Sequence, residues 1–257
     1  MDPGDFPMGS PTNTTAAVTL YFERSWSIIS TIGIANVLFG FVIVGITSLT
    51  PVVIVPIVTS FACAFANGLC FYAYYTQHPI LNRAVASLFA DVFWLIQEAG
   101  LSFYSYVILK RVLRDKQRII FLSAFWFIIA ALVAIRAAIM AMRMRSILEA
   151  ESNFQRIVTN LHVAFFVLIA VIECLSAFFL LRKFATARST SMQAALQTGL
   201  FQYLMQSTEV RVAMLSLTGI TRAITYSFQS TAQSATTTSS QVDRFAYTLE
   251  SLFPVIL

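Results

Sequence analysis

The strongest constraint on this chain is the repetition of apolar runs long enough to cross a bilayer. A helix needs about 20 predominantly apolar residues to span the hydrocarbon core. The sequence offers such stretches near residues 26–47, 52–75, 86–109, 119–140, 160–181 and 208–229, and a shorter one from Asp243 to Leu257. A soluble core helix or a single anchor does not account for so many. Composition agrees: 11% of the 257 residues are charged, against roughly 25% in a soluble domain, and mean hydropathy is +0.75. The sequence therefore predicts an all-α polytopic membrane protein. Its seven-transmembrane-helix bundle occupies residues 26–257, behind a polar, extracellular or lumenal tail over 1–25.

Punctuation and charge place the spans. Pro51 sits in the very short link between the first two, and Pro56 just inside the second, where a first-turn proline costs little. The last run, "DRFAYTLESLFPVIL", gives about 22 Å of helix, short of the roughly 30 Å hydrocarbon core. It stops within an apolar stretch, as a truncated sequence or a re-entrant helix would. Lys110, Arg111, Arg114, Lys116 and Arg118 follow the third span, and Arg182, Lys183 and Arg188 follow the fifth, on one side of a seven-span layout. The other side mixes Arg143, Arg145 and Arg156 with Glu149 and Glu151. The cation excess puts the N-terminus outside and the C-terminus in the cytoplasm, in a plasma or internal membrane. The first 24 residues lack the basic start and apolar core of a cleavable signal. Asn13-Thr14-Thr15 is a glycosylation sequon on the outer side. Ser230 to Gln241 reads as a flexible polar loop on that side. Cys63, Cys70 and Cys174 lie in apolar runs and read as small packing residues, not a disulfide framework.

Against this background the charges inside the spans stand out. "LFADVFWLIQEAGLSFYSYVILKRVL" carries Asp91, Gln97 and Glu98. Ionisable groups at depth cost at least about 2.5 kcal/mol each and normally face the bundle interior. Asp91 and Glu98 are seven residues apart, which puts them on one helix face, about 10 Å apart along the axis. Arg211 and Arg222 share a face of the sixth span, and Asp243 and Glu250 a face of the seventh. Arg136 in the fourth and Glu173 in the fifth complete a set in which acids on spans three, five and seven can meet arginines on four and six. Two readings stay open. The charges are either buried ion pairs that fix helix order and register, or the lining of a hydrated cavity that binds or passes a polar group. Their number favours the cavity. A short echo between "IRAAIM" (135–140) and "TRAITY" (221–226), each followed by a span with Glu-X-Leu, fits the repeated helix units of transporters. Asn36, Asn67 and Asn160 read as interhelical hydrogen-bonding groups, and Gly33 and Gly40 as points of close helix approach. Phe103, Tyr104 and Tyr106 read as a membrane interface, and so does His162 at the start of the fifth span.

Several classes are excluded. The only lysines are Lys110, Lys116 and Lys183, so no last-span lysine exists for a retinal Schiff base. The third span ends "ILKRVL" and the seventh "SLFPVIL", without the Asp/Glu-Arg-Tyr and Asn-Pro-x-x-Tyr motifs of rhodopsin-type receptors. Two histidines, His78 and His162, are too few for a zinc hydrolase. No Ser–His–Asp arrangement and no phosphate-cradling glycine loop is present. Neither catalysis, nor a metal or cofactor, nor a nucleic-acid partner is expected.

The segments "DVFWLIQEAGLSFYSY" and "ITRAITYSFQ…VDRFAYTLESLFPVIL" resemble uncharacterised seven-helix integral membrane proteins of filamentous fungi. More distantly they are similar to the fungal lipid-translocating exporter family, which is linked to sphingoid-base release and sterol-analogue resistance. The similarity rests on Asp91 with Gln97 and Gly100, on Arg222, and on Glu250 followed by Pro254. Leu101 breaks the paired glycines associated with that family, and its Ala-Pro-rich helix is not evident. The resemblance implies membrane lipid as partner. The expected function is then a transporter or lipid-translocating protein. Its charged intramembrane cavity would be built from Asp91, Gln97, Glu98, Arg136, Glu173, Arg211, Arg222 and Glu250. An amphiphile with a cationic amine would suit the acids, and an anionic head group the arginines. The alternatives are a receptor or sensor coupled to an unidentified cytoplasmic partner through the basic 110–118 loop, and a structural protein with buried ion pairs only.

Overall fold

The computed structural model of the chain describes residues 25–75, 78–149, 155–193, 214, 217–225, 227–228 and 237–256. Among them no strand occurs. The helices are α1 (Ser25–Ile46), α2 (Pro51–Tyr75), α3 (Ile80–Gly100), α4 (Ser102–Val112), α5 (Asp115–Glu149), α6 (Gln155–Gln193), α7 (residues 217–225) and α8 (Thr238–Ile256). Among the described residues, five stretches are long and apolar enough to cross a membrane: Ser25–Ile46, Pro51–Tyr75, Ile80–Val112, Asp115–Ile147 and Ile157–Lys183. The third of these joins α3 and α4 through a single turn at Leu101.

The helices expose large apolar side chains that a water-soluble bundle would bury. On α1 the buried residues are Trp26, Ile29, Gly33, Asn36 and Gly40. Its outward face carries Ile28, Ile34, Leu38, Phe39, Phe41 and Val42. α5 likewise turns Ile119, Ile120, Trp126, Phe127 and Val133 outward and buries Arg136 and Arg143. Large apolar side chains gain nothing from water, so a contiguous exposed apolar belt calls for an apolar surrounding. Such a surface is consistent with an integral membrane protein.

Close helix approach is built with small residues, as lipid-embedded helices require. A Cβ on Gly33 would lie 2.8 Å from the Ala64 backbone nitrogen, and one on Gly40 would lie 2.5 Å from Ile57 Cγ1. Ser30 adds a hydroxyl donated to the Ala64 carbonyl at 2.8 Å. Both glycines thus hold α1 against α2, as their spacing predicts. α5 and α6 are joined by an aromatic and aliphatic cluster with Phe121, Phe125, Phe165 and Phe166 at its centre. Phe103 and Tyr106 pack into this cluster, 5.3 and 4.6 Å from the Phe125 ring, so they bind α4 to α5 as well as facing outward. The Phe121–Phe179 contact at 5.6 Å brings the start of α5 to the far end of α6. The basic residues at 110–118 therefore share one end of the protein with Arg182 and Lys183.

Several boundaries differ from the sequence reading, for identifiable reasons. The third span starts at Ile80, not 86, because Arg83 does not need a loop: its Nε donates to the Ala73 carbonyl at 2.7 Å, at the end of α2. α5 runs to Glu149, not 140, because Arg143 turns inward. Helix α6 begins at Gln155, so His162 lies two turns inside it, buried rather than at an interface. Pro51 takes the first-turn position of α2, which leaves Pro56 in the second turn. Helix α8 begins at Thr238, so residues 238–241 are helical, not loop. At 19 residues it is about 28 Å long, six ångströms or so longer than the run from Asp243 implied. Cys63 and Cys70 are buried, but Cys174 is exposed, so it does not pack inside the bundle. Asn160 is exposed as well. Asn13, Arg211, residues 1–24 and residues 230–236 lie outside the described residues.

Candidate functional site

Residue spacing brings the charges to one place. On α3 the buried positions Ser87, Asp91, Trp94 and Glu98 recur every three or four residues and so form a single stripe. Arg136 and Arg143 repeat the seven-residue spacing on α5. On α6, His162 and Glu173 are three turns apart on one face, and on α8 Asp243, Tyr247 and Glu250 do the same over two turns. Arg222 is the inward cation of α7. All of these side chains are buried, Arg136 to 1% exposure and Glu98 to 3%.

They form a continuous ladder. Arg143 Nη2 lies 3.3 Å from His162 Nε2, and Arg143 Nη1 lies 2.7 Å from Asp91 Oδ1. The same oxygen is 3.6 Å from Arg136 Nη1. Arg136 Nη2 then meets Glu98 Oε2 at 2.6 Å. Glu98 Oε1 is 2.8 Å from Arg222 Nη1, which also donates to Glu250 Oε2 at 2.7 Å. Arg222 Nε faces Asp243 Oδ1 at 3.4 Å, and the Thr225 hydroxyl donates to that oxygen at 3.3 Å. Along α6 the interval from His162 to Glu173 is about 16 Å, roughly half the hydrocarbon thickness.

Aromatic rings replace the water these cations would otherwise hold. The Arg136 guanidinium stands 4.6 Å above Phe165, Arg222 lies 4.0 Å above Phe166 and 4.8 Å above Tyr247, and Arg244 lies 3.4 Å above Trp26. A ring face attracts a cation more strongly when water is excluded. Beside the ladder, the Tyr247 hydroxyl accepts from Asn67 Nδ2 and Trp94 Nε1, each at 2.9 Å, and donates to Gln97 Oε1 at 2.7 Å. Its hydrogen-bonding capacity is filled, one donated and two accepted.

The sequence-derived set is therefore divided by the structure. Asp91, Glu98, Arg136, Arg222 and Glu250 meet as expected. Gln97 belongs to the Tyr247 hub, not to the ion pairs. Glu173 accepts from the Ser102 hydroxyl at 2.6 Å and so stands beside the ladder. Asn36 and Asn67 form their interhelical bonds, Asn36 by donating to the Ser251 carbonyl at 2.9 Å. Arg143, His162, Arg244 and Tyr247 belong to the site and were missing from the expected set, whereas Asp243, placed by its spacing on the face of Glu250, meets Arg222. The heptad repeat from Arg136 to Arg143 was the available signal for the first of these.

The space around the ladder is small. Two cavities of about 20 Å³ flank Arg222, each large enough for one water. Glu98, His162, Asp243 and Tyr247 line the first. Glu98, Glu173, Thr218 and Glu250 line the second. A wide apolar crevice of about 560 Å³ opens between α6 and α7, lined by Val167, Val171, Leu175, Ile220 and Ile224, and Gly219 lines both this crevice and the second cavity. Among the described residues no group of His, Cys, Asp and Glu is placed to hold a metal ion.

No protein-family model matches the sequence, and no curated protein or solved structure is significantly similar to it.

Proposed function

We propose that this chain is a multi-pass membrane transporter or lipid-translocating protein whose buried ladder is the element that opens for cargo. The observation that carries this reading is the ladder itself: six ion pairs linking α3, α5, α7 and α8 where ionisable groups are costly and mark substrate or ion pathways. α7 and α8 would complete a seven-span bundle, with the N-terminus outside and the basic 110–118 corner in the cytoplasm. The apolar crevice supports an amphiphilic cargo, since its walls suit an acyl chain and Gly219 separates it from the carboxylates of the second cavity. Cavities of about 20 Å³ admit no head group, so passage requires the ladder to part.

The test is translocation of fluorescently tailed lipids in proteoliposomes: a single-chain amine, a phosphatidylcholine and a phosphatidylserine. Asp91→Asn, Glu98→Gln and Arg222→Gln should each lower the rate for the transported lipid at least tenfold. Unchanged rates in all three, with the chain folded, would reject the role. A second reading has its own observation, the close pairing and small cavities, which suit ion pairs that only fix helix register. In that case exchanging Asp91 and Arg143, partners at 2.7 Å, would restore stability, and no lipid would move in any variant.

A further inference from the structure

The corner between α4 and α5 concentrates positive charge at one end of the protein. Lys110 and Arg111 lie in the last turn of α4. Arg114 stands in the short link, and Lys116 and Arg118 lie in the first turn of α5. All five side chains are exposed. Asp115 is the only acid in the sequence between Glu98 and Glu149. Among the described residues none of the five cations is held in an ion pair. The Phe121–Phe179 contact brings the end of α6 alongside, and Arg182, about one turn beyond Phe179, is exposed as well.

The corner is fixed in place. Leu113 is buried in the cluster that holds Phe121 and Phe125, and its N–H donates to the Leu109 carbonyl at 2.8 Å. Asp115 takes a left-handed φ of 52°, which aspartate tolerates better than most residues, and the chain passes directly from one helix into the next. Ile119 and Ile120, 70% and 61% exposed, follow Arg118 without a break. The cations thus stand at the rim of the exposed apolar belt, the level at which a surrounding bilayer would place its phosphates. Lys110 marks the same level from α4. Its Nζ lies 5.9 Å from the centre of the Tyr106 ring, and that ring lies 6.0 Å from Trp126 on α5. Toward the other end of α5, about 45 Å along the axis from Asp115, Arg145 is exposed, while Arg143 turns inward onto Asp91.

We propose that this corner is a binding surface for anionic phospholipids, with the phosphates of several head groups gathered around Lys110, Arg111, Arg114, Lys116 and Arg118. A cluster of this size at the end of a membrane-spanning segment attracts anionic lipid electrostatically. Exposed side chains on a turn draw charge without enclosing it, so the surface reads the charge of a head group and not its shape. Position selects lipid over a soluble polyanion. Lysine and arginine at the edge of an apolar belt lay their stems along it and extend their charges into the phosphate layer. Binding of this kind requires the chain to sit in a bilayer and is independent of whether it moves lipid.

Trp126 reports on the corner. It is 50% exposed and lies about 12 Å along α5 from Arg118, while the other two tryptophans, Trp26 and Trp94, are buried. The test reconstitutes the full chain in vesicles of phosphatidylcholine mixed with phosphatidylserine or phosphatidylglycerol, with bromine on the acyl chains of one lipid at a time. Quenching of tryptophan emission then gives the preference for the anionic lipid. That preference should be at least about threefold at low salt and fall toward unity at about 0.5 M salt, which screens exposed charges. Phosphatidylserine and phosphatidylglycerol, of equal charge, should agree within about twofold. Lys110→Gln, Arg111→Gln, Arg114→Gln, Lys116→Gln and Arg118→Gln together should abolish the preference, and Arg145→Gln should leave it unchanged. A wild-type preference of unity at low salt overturns the proposal and needs no variant. So does a preference that persists undiminished in high salt or in the five-residue variant, or one that Arg145→Gln abolishes equally.

Discussion

Replacing Arg136 by methionine isolates one rung of the ladder and tests whether the rung carries energy. Arg136 Nη2 lies 2.6 Å from Glu98, Nη1 lies 3.6 Å from Asp91, and the side chain is 2% exposed. Removing one partner of a buried pair costs about 3–5 kcal/mol, mostly because the other charge is stranded. Here stranding is incomplete. Glu98 keeps Arg222 at 2.8 Å and Asp91 keeps Arg143 at 2.7 Å. The expected cost is therefore about 3 kcal/mol, the foot of that range. Glu98→Gln leaves Arg136 with only the longer Asp91 contact and should cost a similar amount. The double variant removes both charges at once, so its cost should fall short of the sum by about 2 kcal/mol, well inside the range for contacting residues. An exposed pair would couple by less than about 1 kcal/mol. The assay is reversible denaturant unfolding in mixed micelles for wild type, both single variants and the double. A coupling below about 0.5 kcal/mol is what independent sites give, and would refute the claim that these charges meet in a buried site.

Four further outcomes can be checked in the same assay. Tyr247→Phe removes the hydroxyl that Asn67, Trp94 and Gln97 share, and should cost about 1–3 kcal/mol by leaving buried polar groups without partners. Gly33→Val drives a side chain into the Ala64 backbone, which cannot rotate away, and should cost about 1–3 kcal/mol. Gly45→Ala on the same helix, with nothing within 4 Å, should stay within about 0.5 kcal/mol of wild type. Arg143→Met should destabilise at least as much as Arg136→Met, since it leaves Asp91 only the 3.6 Å contact. A neutral Arg143→Met would mean that residue 143 lies outside the bundle after all.

What the sequence made legible was the face, not the partner. The seven-residue spacing of Asp91 and Glu98, and the inward Arg222, follow from helical period and from the cost of charge in lipid. Pairing depends on helix rotation and depth, which spacing does not encode. Glu173 illustrates this: it shares a face with His162, yet it ends beside Ser102, at the start of α4. Arg143 was obscured for another reason. It lies among Met142, Met144, Arg145 and Glu149, a mixture that reads as a loop on the outer side, and the inward direction of one arginine is invisible in composition. Arg244 was hidden in the same way by the polar stretch before it, which the structure shows entering a helix at Thr238. Tyr247 carried no signal at all, because its role requires three side chains from α2 and α3. Gly33 and Gly40 were readable because a small residue repeated at helical period has one common use among apolar helices.

The account stands on the meeting of Glu98 with arginines from two different helices, and a nitrogen–carbon distance measurement addresses it most directly. Solid-state NMR of the full chain in lipid nanodiscs, with ¹⁵N in the guanidiniums and ¹³C in the glutamate carboxyls, should show short-range dipolar dephasing from Glu98 to Arg136 and Arg222, whose oxygens and nitrogens are 2.6 and 2.8 Å apart. Glu98→Gln should remove that part of the signal and leave the Glu250–Arg222 contact at 2.7 Å. A Glu98 carboxyl that shows contact with acyl-chain protons and none with guanidinium nitrogen would contradict the account.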